Sequence, residues 1–489
     1  MTSGAPGLYI ANAHLCRPDS GEALLPGGVL VEDGAIAAVA AGPEEDRALR
    51  QRAAEVFDAG GMILMPGLVN AHYHSYSALL KGTENSLPLE PWALYTVAYG
   101  RAFGEEAIRL AVLLGAAEMI RAGITACLDH FPHVRWAEAA LSAHEASGMR
   151  VGFAPFMHDR LDHELFDVPL PDEIRRRLDG APRSDPAGAE RQYRELAARW
   201  HGRAGRIDLM LGPNAFQRCS PALWAVWRRL GDELGLAAHT HLLETRAQAA
   251  YGQARWPGGT VAEMERQGLL GERLSVAHGV WLSPAERELL ARRGVTLVHN
   301  PASNLMLGSG RLPLAAARAA GLPLALGTDS SNTGGPHDLF EVMRLALMLP
   351  RPDTEEPETW PRPAQVLAMA TRGGARALGL AGRLGDLLPG HRADLVLLRP
   401  GAALAGAAVT VPHLVQHATP AAVAGVLVDG RWVLRDGRIL AFDEAAVLDR
   451  VAAVAAELRE AARPELEAAR AAAPYFARLT GCAVSGRPA

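Results

Sequence analysis

Near the N-terminus, apolar residues come in short runs separated by turn signals. Leu8–Ala13 is one run, and Gly28–Ile36 carries Asp33-Gly34 between two more, the pattern of a tight hairpin. The pattern returns late in the chain, where Ala393–Leu398 reads as a strand and Gly425–Leu434 as a hairpin around Asp429-Gly430. Two β-rich ends around a different middle predict one small β-domain built from both termini. The middle alternates strand and helix. Its apolar runs are Leu68–His72, Ile124–Leu128, Val151–Pro155, Ile207–Leu211, Leu236–His239, Leu274–His278, Val295–His299 and Leu322–Gly327. Glu105–Arg121 reads as a helix, with Ile108, Ala111, Val112, Gly115, Ala116 and Met119 at helical spacing and Gly123 as the stop.

Repeated strand–helix units imply parallel strands with helices outside, and eight of them predict an α/β fold, a closed (β/α)8 barrel. An open doubly wound sheet is the other arrangement, but no G-x-G-x-x-G follows the first strand. The polar, arginine-rich stretch from Met157 to Arg206 is expected to add helices over the barrel mouth. From Asp443 the tail is rich in Ala and Glu and reads as helix until Pro464 interrupts it. The predicted division is an N-terminal β-sandwich segment at 1–65, the barrel at 66–388, a C-terminal β-sandwich segment at 389–442 and a helical tail at 443–489.

At 489 residues, 49% hydrophobic and 21% charged, the chain has the composition of a globular enzyme with a large core. A net charge of -5 leaves no basic stripe for nucleic acid. No apolar segment has bilayer length, and the N-terminus lacks the basic and apolar regions of a signal peptide, so no membrane partner and a cytoplasmic location are expected. Cys16, Cys127, Cys219 and Cys482 are scattered without a C-x-x-C pair, which fits reduced thiols.

Active sites of such barrels gather at the C-terminal ends of the strands. His72 and His74 end the first strand. Residues i and i+2 of a strand point to the same side, so the two imidazoles leave together, as neighbouring ligands of one metal must. Asp129 and His130 follow the second strand and Asn214 the fourth. His241 and Glu244 follow the fifth, His278 closes the sixth, His299 and Asn300 end the seventh, and Asp329 follows the eighth. One polar residue at a strand end is an exit to solvent. A set this rich in His and Asp is a site.

In these residues the chain resembles the amidohydrolase superfamily, in its branch of aminohydrolases and chlorohydrolases acting on purines, pterins and triazines. The matching text is Pro66-Gly67-Leu68-Val69-Asn70-Ala71-His72-Tyr73-His74, His239-Thr240-His241-Leu242-Leu243-Glu244-Thr245, Ala277-His278-Gly279-Val280, His299-Asn300-Pro301-Ala302-Ser303-Asn304 and Gly327-Thr328-Asp329-Ser330. The resemblance implies a (β/α)8 barrel with a β-sandwich made from both chain ends. Neutral imidazoles and a carboxylate suit one divalent ion, zinc first, with iron or manganese also compatible. His72, His74, His241 and Asp329 are the expected ligands, with a position left for water. Bound zinc lowers that water's pKa to roughly 7. Asp329 can accept its proton. Glu244, three residues past His241, is expected to protonate a ring nitrogen and then the leaving group. His278 is expected to stabilise the attacking hydroxide and the tetrahedral intermediate.

His239 and His241 compete for one ligand position. The family's spacing puts the ligand three residues before the glutamate, which favours His241 and leaves His239 packed behind it. His130, His133, His158, His163 and His299 read as pocket lining, support or surface, His299 being the one kept as a support for the site. Some amidohydrolases bridge two metals through a carboxylated lysine after the fourth strand. The only lysine here is Lys81, after the first, so one metal is predicted.

For the substrate, Glu84 and Trp92 lie in the loop after strand one, where relatives place substrate contacts, and suit binding and stacking of a flat heterocycle. Asn214 and Gln217 lie in Pro213-Asn214-Ala215-Phe216-Gln217, where nucleoside deaminases of this branch carry a histidine after the proline. That departure argues against an adenosine-type substrate. Asn332 sits in the polar loop Ser330–Gly335. The expected function is hydrolysis of a non-peptide C–N bond, most directly deamination of an amino-substituted nitrogen heterocycle. Cyclic amide hydrolysis, or displacement of chloride or an alkylamine from a triazine-like ring, uses the same site. A metal-binding sensor or scaffold is the non-enzymatic alternative, and Glu244, His278 and Asp329 together argue against it. The expected partners are a small heterocyclic substrate and water, in a homo-oligomer.

Overall fold

A computed structural model describes residues 7–17, 21–84, 86–405 and 409–485, with side chains to Leu479, so the Cys482 thiol lies outside it. Cys16, Cys127 and Cys219 are buried and free.

The apolar run that leads to His72 serves two sheets. Ile63–Pro66 pairs antiparallel with Leu395–Leu398 and parallel with Leu8–Leu15, whereas Leu68–Tyr73 pairs parallel with Ile124–Phe131. Gly67 is the joint. A Cβ there would meet Thr125 Oγ1 at 2.0 Å, so a side chain has no room.

Both chain ends build one nine-stranded sheet. Its order is Arg438–Ile439, Arg431–Arg435, Val423–Val428, Leu395–Leu398, Ile63–Pro66, Leu8–Leu15, Leu25–Glu32 and Ala35–Ala40, with Glu55–Asp58 also on Leu8–Leu15. Both predicted hairpins form. Asp33 and Gly34 (φ 49° and 76°) and Asp429 and Gly430 (53° and 73°) take the left-handed pair of conformations that a two-residue turn with strand-matched twist requires. Ile10, Val29 and Val31 from one end share a core with Leu395, Leu397 and Leu427 from the other. This sheet docks on the middle of the chain through a buried ion cluster. Arg150 donates from Nε to Asp394 Oδ2 (2.8 Å), and from Nη2 to Asp394 Oδ1 and Asp429 Oδ1 (3.0 Å each).

Each of the eight predicted strand runs overlaps an observed strand. These are Leu68–Tyr73, Ile124–Phe131, Arg150–Met157, Ile207–Leu209 continued by Gly212–Pro213, Ala238–Leu242, Leu274–His278, Thr296–His299 and Leu324–Leu326. They pair in sequence order as two parallel sheets, and single parallel bridges, Tyr73 to Asp329 and Leu211 to Ala238, join the sheets on both sides. The helix Glu105–Arg121 forms as predicted, with Gly123 left-handed at φ 74° after it.

The Met157–Arg206 stretch supplies the helices Asp162–Leu165, Asp172–Asp179 and Pro186–Trp200. The tail is helical, and its break falls beside Pro464, as expected. Helix Glu444–Ala461 is followed by a second, Arg463–Ser485, because Pro464 falls in a first turn, where a missing N–H breaks no bond. This second helix packs along Leu89–Ala102, and Phe476 joins Val168, Leu170, Leu94 and Leu178 in one apolar cluster. Among the described residues, no helix is long and apolar enough to cross a membrane.

Four histidines shielded from water, His299 and His337 buried and His133 and His158 half-buried, are expected to make this fold acid-labile. Burial pushes His133 and His299 down to about 3, and His158 and His337 down to about 4. Unfolded, each takes a proton near pH 6.5; folded, each stays neutral well below that. Their contribution is complete above pH 6.5 and is lost as pH falls toward the folded values, at about 1.4 kcal/mol per pH unit for each histidine. Melting temperature is therefore expected to be highest above pH 7 and to fall steeply between pH 6.5 and 5. A flat Tm across that interval, measured on protein with its metal content checked, would contradict this.

Candidate active site

Strand alternation alone would give the wrong ligands. Val69 and Ala71 pack with Ala126, Leu128, Ala154 and Val298 of the other parallel strands, so simple alternation would turn Tyr73 to that same side after them. The pairing register shifts between Asn70 and Tyr73 instead. After the shift His72 and His74 face the site. Tyr73 points outward onto the helix Glu105–Arg121, its hydroxyl filling the space where a Cβ on Gly115 would stand.

Donor atoms of four residues form a chain of contacts at the strand ends. His72 Nε2 and His74 Nε2 lie 3.5 and 3.4 Å from Asp329 Oδ1, and His241 Nε2 lies 3.3 Å from His74 Nε2. Donors held at about 2.0–2.2 Å around a tetrahedral cation stand about 3.4 Å from one another. His72 Nε2 is also fully buried without a hydrogen-bond partner, so the donor set fits a cation at the shared point.

The far nitrogen of each imidazole is tied outside the cluster. His74 Nδ1 meets the His130 carbonyl, His241 Nδ1 donates to Asn214 O (2.6 Å), and His72 Nδ1 meets His239 Nε2 at 2.8 Å. His239 Nδ1 in turn meets Ser275 Oγ at 2.8 Å, so His239 sits behind His72. With each Nδ1–H directed outward, each Nε2 lone pair faces the shared point. Burial keeps two of these rings, His72 and His241, neutral. It pulls His72 down to about 4 and His241 well below the usual imidazole range. Burial by itself would raise Asp329, but the imidazoles of His72, His278 and His74 outweigh it and hold the carboxyl well below the usual range.

The His299–Asn304 motif is a support for this cluster. The strand ends at His299, Pro301 opens the helix Pro301–Met306, and the first turn delivers two side chains. Ser303 Oγ donates to Asp329 Oδ2 (2.5 Å), and Asn304 Oδ1 accepts from His278 Nδ1 (2.9 Å). His278 and Asp329 are both left-handed, at φ 74° and 62°, a costly conformation for side chains of this kind and one that gathers at functional sites. His299 itself offers its backbone carbonyl to Gly327 N (3.1 Å).

Glu244 Oε2 lies 3.6 Å from His278 Nε2, and its Oε1 accepts from Ser309 Oγ (3.3 Å). Burial pushes Glu244 up to about 7; His278 pulls against this while Asp329 and Glu90 add to it. The cluster opens into a cavity of about 260 Å³ that runs past Trp92, His133 and Phe156 to Glu465, Ala469 and Phe476 of the last helix. Glu465 holds that helix in place, accepting from Arg101 Nη1 (2.7 Å) and Arg177 Nη2 (3.2 Å).

Of the sequence-derived substrate candidates, Trp92 and Asn214 line this cavity, while Glu84, Gln217 and Asn332 are not among its lining residues. Glu84 turns back on its own loop, its Oε1 accepting from Ser86 N (2.8 Å) and Oγ (2.6 Å). Asn332 Nδ2 reaches Thr83 Oγ1 (3.3 Å), and Gln217 is buried in the turn Phe216–Arg218. The acidic residue of that first loop facing the cavity is Glu90, buried in the first turn of Leu89–Ala102 and accepting from Thr245 Oγ1 (2.6 Å). Asn214 keeps its side chain on Arg218 Nη1 (3.0 Å), which is itself paired with Asp162. The tail helix gave no chemical signal in the sequence, because its cavity-facing residues are Glu465, two alanines (Ala468 and Ala469) and Phe476, in no pattern that marks a site.

The chain is similar to known proteins over nearly its whole length. The 5-methylthioadenosine/S-adenosylhomocysteine deaminase of Desulforudis audaxviator is 36% identical over 458 residues, covering 93% of this chain and 99% of the relative. A 5'-deoxyadenosine deaminase of Methanosarcina mazei is 32% identical over 92% of this chain and 98% of the relative. The crystal structure of an adenosine deaminase from Xanthomonas campestris with bound zinc superposes with a TM-score of 0.81 at 29% identity, covering 94% of this chain and 98% of that one. The model of the Amidohydrolase family matches residues 63–433, and the chain belongs to that family.

Proposed function

We propose that this protein is a metal-dependent deaminase that hydrolyses the exocyclic C–N bond of an adenosine-type nucleoside, releasing ammonia. The observation that carries this reading is the chain of contacts His72–Asp329–His74–His241 at 3.3–3.5 Å, with Glu244 and His278 on the same cavity. Near full-length similarity to deaminases of adenosine-type compounds supports the substrate class. We read the two parallel sheets, bridged on both sides, as one closed (β/α)8 barrel. The two chain ends with their shared core read as a β-sandwich, with boundaries near 65, 388 and 442.

His72, His74, His241 and Asp329 would hold one divalent ion, zinc by preference for this donor set. When bound, the ion supplies a water acidic enough to ionise near neutral pH. Asp329 has one oxygen, Oδ1, toward the histidines and the other, Oδ2, toward His278, and would take up a proton from the attacking water. Glu244, raised to about 7 by burial, carries a proton to the ring nitrogen beside the attacked carbon. His278, its ring fixed by Asn304, faces the oxygen added at that carbon. As the C–N bond breaks, the ionised Glu244 takes the proton of the added hydroxyl, which becomes the ring carbonyl, and passes it to the departing amino group, while the proton held by Asp329 restores Glu244 to its starting form. One water is consumed, and the ring keeps its oxygen while nitrogen departs as ammonia.

A second reading, a free amino-heterocycle without a sugar, is favoured by Asn214 standing where nucleoside deaminases of this branch carry a histidine. Ammonia release is expected from adenosine, 5'-deoxyadenosine or 5'-methylthioadenosine, with about one divalent ion per chain by elemental analysis. Turnover of aminopurine bases, pterins or aminotriazines with none from nucleosides would select the second reading. Two ions per active chain would overturn the single-metal site.

A further inference from the structure

We propose that His337 is a positioning residue that clasps the seam between the first and last parallel strands and thereby fixes Asp329. The inference rests on the reading of Asp329 as a metal ligand. His337 is buried outside the ring of strands, just ahead of Asp338, which caps the helix Leu339–Met348. Its two ring nitrogens hold the residues that flank Asp329. Nδ1 lies 2.7 Å from Thr328 Oγ1, and Nε2 lies 2.8 Å from Ser331 Oγ. Thr328 Oγ1 accepts from Asn70 Nδ2 (2.7 Å), which leaves its own proton for His337 Nδ1. The imidazole is then the Nε2–H form, donating to Ser331, and both nitrogens are satisfied in the neutral ring.

The other contacts of His337 lead to the first strand. Its ring meets the face of Tyr73 edge-on, with centroids 4.7 Å apart, and Tyr73 lies between His72 and His74. Asp329 N donates to His72 O (3.0 Å) across the same seam, and Ser331 N donates to Ser77 Oγ (2.8 Å). His337 N donates to Glu118 Oε1 (3.2 Å), whose other oxygen accepts from Lys81 Nζ (2.6 Å), so the chain's one lysine anchors the clasp from outside. Asp329 needs such a hold. At φ 62° it occupies a conformation its own backbone disfavours, and its two carboxylate oxygens must face different partners. No other described residue bonds the side chains on both sides of it.

The test is metal affinity, measured by chelator competition on the full chain, with kcat recorded alongside. His337→Phe keeps the ring and removes both hydrogen bonds, and is expected to weaken metal binding about 10–100-fold, as loss of outer partners of metal ligands does. His337→Gln, which can both donate and accept, is expected to recover some of that loss. Thr328→Val removes one arm of the clasp without changing side-chain shape and serves if His337→Phe does not fold. Folded variants with metal affinity within twofold of the parent overturn the clasp. If Asp329→Asn also leaves affinity unchanged, or the parent chain holds no metal, the ligand reading falls and the clasp with it.

Discussion

Glu244→Gln is expected to keep the protein's metal and lower kcat by about 10²–10⁴-fold, the usual contribution of a positioned acid–base group. The amide fills the same volume and still accepts from Ser309 through its oxygen, so the fold and the donor cluster have no reason to change. What it cannot do is give up a proton to the ring nitrogen and take one back for the leaving group. Burial is what suits Glu244 to both tasks. A carboxyl raised to about 7 is partly protonated and partly ionised at neutral pH, so neither direction of transfer is strongly uphill. The variant should bind substrate with little change, separating kcat from KM. Retention of most of the parent kcat in metal-replete protein would show that another group carries the proton. Loss of metal from the variant would show that Glu244 belongs to the ion's own surroundings.

How much of this site was legible in the sequence depends on which interaction places each residue. His241, Glu244, His278 and Asp329 stand directly after apolar strand runs, and strand ends of parallel α/β folds point one way, so linear position predicts spatial neighbourhood. The hairpins at Asp33-Gly34 and Asp429-Gly430 were legible for a local reason: only a few residue pairs tolerate two left-handed conformations in succession. The register shift between Asn70 and Tyr73 was not legible. It answers to packing against Gly115 and to pairing with the second strand, neither of which leaves a mark in the run itself. The same limit hid Glu90. Its loop carries both Glu84 and Glu90, of which Glu84 was expected to reach the substrate, and only the start of the helix Leu89–Ala102 turns Glu90 inward. The tail as a cavity wall was hidden for the opposite reason. Alanines at helical spacing announce a packed face without saying what packs there, and the ion pairs of Glu465 join residues 364 and 288 positions apart.

Metal is expected to leave His241→Ala altogether and to stay with His239→Ala. The two histidines share a strand and a ring chemistry, and differ in what their nitrogens face. His241 Nε2 stands 3.3 Å from His74 Nε2, the separation of two ligands on one tetrahedral ion, with its Nδ1 held by the Asn214 carbonyl. His239 Nε2 stands 2.8 Å from His72 Nδ1, on the side of that ring away from the cluster. Such a distance belongs to a hydrogen bond and is too short for two ligands of one ion. The ligand atoms of His72, His130 and His239 do gather within 4.8 Å, but this contact makes His239 a partner of His72 and not its fellow ligand. Removing His241 deletes one of four donors and should abolish both metal and turnover. Removing His239 leaves His72 Nδ1–H buried without an acceptor, at a cost of about 1–3 kcal/mol in stability. It should also weaken the site about 10–100-fold without emptying it at saturating metal. Elemental analysis of the two variants side by side, after reconstitution and brief dialysis, with melting curves for each, decides the matter. Metal retained by His241→Ala and lost from His239→Ala would reverse the assignment and move the proton-carrying role away from Glu244.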